Sequence, residues 1–152
     1  MNFDYNHWED LPEAEQEMYI EFLFGECEYF AYALRKEFGY DMVRAFGEDE
    51  DGNEMVVHVF CIDKNGDYID IRGVTNSCKE FFEPYEDFLD SSDPIIVRYN
   101  PAQYIIDEYE GLHENSFAPQ SVKTALAYIK QNYKKFSGEK QQKNFNEKGL
   151  EL

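Results

Sequence analysis

The chain has 152 residues, of which 43% are hydrophobic and 17% aromatic, and its formal net charge is −18. That length supports one domain with a single core, and the apolar fraction excludes an intrinsically disordered chain. The charge argues against direct contact with nucleic-acid phosphates and favours a basic protein or polypeptide as partner or substrate.

The charge is uneven: residues 1–118 hold 29 acidic and 7 basic side chains, whereas residues 119–152 hold 3 and 7. Cys27, Cys61 and Cys78 form no CxxC pair, so they fit neither a disulfide framework nor a zinc finger. The segment MNFDYNHWEDLPEAEQ lacks the basic and apolar regions of a signal peptide, and no apolar run reaches a membrane span. The expected setting is therefore the cytoplasm, with reduced thiols and no membrane contact. No metal or cofactor is expected. His7 and His113 have no second ligand at metal spacing, and the acid-dense GEDEDGNE at 47–54 lacks EF-hand spacing, so it reads as a solvated hairpin loop.

Asp10 and Glu13 have the spacing of a capping box, with Pro12 in the first turn, and predict a helix ending near Phe24-Gly25. Cys27 opens a second helix, in which Phe30, Ala31, Leu34 and Phe38 share a face and Gly39 is the stop. Three strands follow: 41–47, then 55–63, then 68–73 after a turn at Lys64-Asn65-Gly66-Asp67. Residues 77–89 predict a short helix broken at Pro84, and 94–99 a further strand. Phe81, Phe82, Tyr85 and Phe88 are expected in the core, where they could also wall a cleft. A helix start is expected at Pro101, within 101–111. A last helix within 116–136 carries Val122, Leu126, Ile129 and Tyr133 in one stripe. Residues 1–136 thus read as one domain and 137–152 as a polar tail.

The chemistry lies between residues 25 and 73. A cysteine nucleophile needs a base, and the base needs an orienting group. A helix start lowers a thiol's pKa, while Glu26 and Glu28 beside Cys27 raise it. His58, inside Val-Val-His-Val-Phe, needs a partner. The turn at 64–67 sets position 58 opposite about 72–73, and side-chain parity permits His58 and Asp70 on one face. Cys61 and Cys78 are expected to serve packing alone.

GECEYFAYALRKEFGY followed by HVFCIDKNGDYIDIRG resembles the core of transglutaminase-like and papain-like cysteine enzymes, in which a nucleophile helix precedes a histidine strand and an aspartate strand. Gly25, Cys27 and Glu28 are similar to the Gly-x-Cys-x-Glu opening of arylamine acetyltransferases, with Glu28 next to the cysteine. The resemblance implies an α+β fold with N-terminal helices packed on a small antiparallel sheet, followed by a C-terminal helix. It implies Cys27 as nucleophile, His58 as general base and acid, and Asp70 as orienting residue. The implied activity is thiol acyl transfer on a polypeptide amide: proteolysis, deamidation or crosslinking. A bacterial or phage source suits the small acidic format. The rival expectation is a non-catalytic acidic binding protein that mimics nucleic acid, such as a phage-encoded anti-defence or anti-CRISPR protein, with the same fold as scaffold.

Overall fold

The computed structural model describes residues 5–49, 51–88, 95–98 and 118–137. Two helices come first, α1 (Glu13–Phe24) and α2 (Cys27–Phe38). Strands β1 (Asp41–Glu48), β2 (Glu54–Ile62), β3 (Tyr68–Asp70) and β4 (Gly73–Thr75) follow. Then come α3 (Cys78–Phe82), a 3-10 segment (Glu83–Phe88), β5 (Ile95–Arg98), α4 (Ala118–Gln131) and α5 (Tyr133–Phe136). The strands form one antiparallel sheet in the order β4-β3-β2-β1-β5. The class is α+β. The helix start expected at Pro101, and the tail beyond residue 137, lie outside the described residues.

The sheet buries both faces. Met42, Val59, Cys61, Ile69 and Ile71 meet α1, α2 and α4 through Phe22, Leu23, Phe30, Leu34, Val122 and Ile129. Val43, Ala45, Phe60 and Ile62 meet Phe81, Phe82, Tyr85 and Tyr5 on the opposite face. From His58 to Ile62 strand β2 is buried on both faces, which explains the continuous apolar run there, whereas residues 55–57 are only partly covered.

Several local expectations change. The capping box does not form: Pro12 precedes α1 without a side-chain cap, and Gln16 Nε2 instead ties down the Glu9 and Leu11 carbonyls at 2.8 and 2.6 Å. Tyr133 is half exposed, because the helix breaks at Asn132 and turns its stripe; Val122, Ala125, Tyr128 and Ile129 make the buried face instead. Cys78 is exposed rather than packed. The expected strand at 68–73 stops at Asp70, turns through Ile71-Arg72 and returns as β4. Gly73 permits that turn with φ +111°, and a Cβ there would stand 3.2 Å from Lys135 Cγ and 3.3 Å from its carbonyl oxygen. Gly39 ends α2 in the left-handed region, as expected.

Candidate active site

Register brings the histidine and the aspartate together. Cys61 pairs with Ile69 and Ile62 with Tyr68. Continuing that register sets Phe60 opposite Asp70, and His58 two residues along the same strand. A register shift in β2 at Val57, opposite the Ala45/Phe46 junction of β1, sits immediately beside His58. Irregularities of this kind re-aim neighbouring side chains. The result is a direct contact: His58 Nε2 lies 2.9 Å from Asp70 Oδ2, and both residues are buried.

Asp70 is the hub of a buried polar network. Arg72 binds it through Nε to Oδ1 at 3.1 Å and Nη2 to Oδ2 at 2.5 Å. The Arg72 backbone N–H also donates to Oδ1 at 2.9 Å, so the carboxylate caps its own turn. Tyr5 donates its hydroxyl to Oδ1 at 3.2 Å, and Arg72 Nη1 donates to Asn6 Oδ1 at 2.8 Å. The guanidinium lies over the rings of Tyr5 and Phe81 at 4.6 and 4.8 Å. Burial disfavours the charged carboxylate, but Arg72 and the His58 hydrogen bond outweigh it and hold Asp70 well below the usual carboxylate range. Burial also lowers the His58 pKa, against the pull of Asp70. His58 is therefore neutral near pH 7. With an ionised Asp70 beside Nε2, the proton belongs on Nε2, and Nδ1 carries the lone pair.

That lone pair faces Tyr85. The Tyr85 hydroxyl lies 3.1 Å from His58 Nδ1 and 2.7 Å from the Leu23 carbonyl oxygen. Burial first, then Asp70, raises its pKa well above that of a free phenol, so it stays protonated. Its single proton serves two acceptors.

Cys27 begins α2, as expected, but its thiol is not lowered. Burial first, then the Glu28 charge, raises its pKa to about 12, and these outweigh the opposing Val59 N–H. That N–H donates to Cys27 Sγ at 3.4 Å, and Sγ donates to Glu28 Oε2 at 3.8 Å. Glu26 is engaged elsewhere. It accepts a 2.5 Å bond from Ser121 and shares a hydrogen bond with Glu21, which, with burial, raises Glu21 to about 7. So the thiol meets one of its two flanking carboxylates. No hydrogen bond joins Cys27 to His58 among the described residues; the thiol is bonded to the backbone of the residue next to His58.

Because β3 ends at Asp70, the edge of β2 is uncovered around Val57–Val59, and the N-terminus of α2 meets it there. A cleft of about 550 Å³ opens at this point, lined by Leu23, Phe24, Cys27, Val56, Val59 and Tyr85 among others, with Glu28 and Arg44 as its charged side chains. Phe24 and Val56 are 46% and 45% exposed. His58 is fully buried, and its Nδ1 meets the hydroxyl of Tyr85, which lines this cleft.

Tyr5, Asn6 and Arg72 were not foreseen as site residues; Tyr85 was expected in the core or as a cleft wall, and it lines the cleft, but its contact with His58 was not foreseen. For Arg72 a signal existed: in YIDIRG it follows Asp70 by two residues, a spacing that puts both on one face of a strand. For Tyr5 and Asn6 nothing local marks the role.

No family model, curated protein or solved structure matches the chain. Among the described residues no group of His, Cys, Asp or Glu could hold a metal ion, and no helix is long and apolar enough to cross a membrane.

Proposed function

We propose that the chain is a thiol acyl-transfer enzyme with a papain-like or transglutaminase-like core, acting on a polypeptide amide through Cys27, His58 and Asp70. The observation that carries this is the buried His58–Asp70 contact of 2.9 Å, on a strand whose next N–H binds the Cys27 sulfur. Asp70 fixes the tautomer and leaves Nδ1 as the base. In the reaction, Nδ1 takes the thiol proton as Sγ bonds the amide carbonyl carbon. The C–N bond then breaks and the amine leaves with that proton. Water or a second amine resolves the thioester and regenerates the thiol. Backbone N–H groups at the start of α2 would meet the oxyanion.

The test uses p-nitrophenyl acetate as acyl donor. A hydroxylamine-labile acetyl group should appear on Cys27 by peptide mass spectrometry, disappear in Cys27→Ser and fall sharply in His58→Gln. Acetylation that ignores His58 sinks the proposal.

A second function has a specific observation in its favour. The Asp70–Arg72 pair is already neutral and every ring nitrogen of His58 is engaged, so the network is complete as a structural core. The acidic surface would then bind a basic partner without chemistry. Such binding should survive Cys27→Ser and weaken steeply with salt.

A further inference from the structure

The acyl-transfer proposal leaves one group unused, and it stands at the atom that matters most. The base Nδ1 of His58 must receive the Cys27 proton, yet the hydroxyl of Tyr85 occupies it at 3.1 Å. The hydroxyl is anchored from its other side by the Leu23 carbonyl at 2.7 Å. Tyr85 and Cys27 line the same cleft, whereas His58 is fully enclosed. The phenol therefore stands between the His58 base and the cleft that Cys27 lines.

We infer that Tyr85 is a gate on the His58 base, closed in the free protein and opened by a polypeptide that places an apolar side chain in the cleft. This rests on the acyl-transfer proposal. The Tyr85 ring packs edge-on against Phe24, with centroids 5.5 Å apart, and Phe24 is the half-exposed aromatic of the cleft. Leu23, Val56 and Val59 complete an apolar lining. An apolar side chain entering there packs against Phe24, shifts the edge contact and carries the phenol off Nδ1. No bond is made or broken in that step. Tyr85 keeps its proton on the Leu23 carbonyl, and Nδ1 is freed to accept the proton from Cys27 Sγ.

The gate gives the resting state a physical purpose. Cys27 is held as a thiol by burial and Glu28, and His58 as a neutral imidazole by burial. A cysteine of this kind is protected from alkylation and oxidation until a substrate arrives.

The experiment removes the hydroxyl and keeps the ring. In a Cys78→Ser background, which deletes the exposed thiol, acetylation of Cys27 by p-nitrophenyl acetate is followed at pH 7 in the parent, Tyr85→Phe, His58→Gln and the Tyr85→Phe/His58→Gln pair. Thermal melts confirm that each variant is folded. The gate predicts a rate increase of at least about tenfold in Tyr85→Phe, the change that one unit of thiol pKa would bring. It also predicts that the increase vanishes in the pair. An unchanged rate overturns the gate, and a reduced rate overturns it by making the phenol a proton carrier. An increase that persists without His58 overturns it as mere exposure. If the parent is acetylated in a His58-dependent way and Tyr85→Phe changes nothing, the gate alone falls. If neither protein depends on His58, the acyl-transfer proposal falls with it.

Discussion

Arg72 grips both oxygens of Asp70, Nε on Oδ1 and Nη2 on Oδ2, while the same two oxygens hold Tyr5 and His58. One carboxylate thus joins the N-terminal segment, β2 and the β3–β4 turn. Removing Arg72 leaves that charge buried and unpaired. Arg72→Met should lower stability by about 3–5 kcal/mol, the usual cost of breaking a buried pair. Asp70→Asn in the same chain should recover a large part, read from urea unfolding midpoints. Full stability in Arg72→Met alone would show that the pair does not hold this network together.

Acid should unfold the protein in two stages. The His58 pKa is lowered on folding, so below about 6.5 the unfolded chain takes up a proton that the folded one refuses, and stability falls with pH from there. The Asp70 pKa is also lowered. Its contribution is full above about 3.9, the unfolded value, and is lost as pH falls towards the depressed folded value. Urea midpoints from pH 8 to pH 3 should show both slopes. His58→Asn should flatten the first and leave the second.

Glu28 and Glu26 should differ although both flank the thiol. Burial is the larger cause of the raised Cys27 pKa, and Glu28 the next, through its charge and a hydrogen bond. Glu28→Gln should therefore lower the thiol pKa from about 12 without restoring an ordinary value. Glu26→Gln should barely move it, because Glu26 is held by Ser121 and Glu21. The pH dependence of iodoacetamide labelling at Cys27 measures both. Equal effects would contradict the side-chain placement.

Iodoacetamide should rank the three thiols in the wild-type protein. Cys78 is exposed and should label first. Cys27 is part-buried with a raised pKa and should follow slowly. Cys61 is fully buried, its pKa is raised by that burial, and its thiol donates to the Ala31 carbonyl at 3.2 Å, so it should label only on unfolding. Peptide mass spectrometry over a time course gives the order.

Much of the scaffold was legible locally. α2, β1 and β2 lie where periodicity and Gly39 put them, because helix and strand formation and their stop signals act over a few residues. The capping box failed because its geometry depends on the path of the chain before Pro12, which Gln16 sets. The register was foreseen by counting from the tight turn, but the expected pairing of 58 with about 72 does not form: β2 and β3 pair at Cys61–Ile69 and Ile62–Tyr68, and the strand ends at Asp70. The end of β3 at Asp70 was not foreseen. Arg72 could not continue the strand while its backbone N–H and side chain both bound Asp70.

The sequence by itself determined that a thiol opens a helix, that a histidine and an aspartate lie on adjoining strands, and that their parity permits one face. These follow from spacing and side-chain parity. Only the tertiary structure decided the state of those groups. Burial and charge are sums over neighbours distant in the chain: Val59 and Glu28 around Cys27, Arg72 and Tyr5 around Asp70, and Tyr85 at the one ring nitrogen the thiol would need. Spacing brings the residues near one another, but the contacts made on folding set their protons.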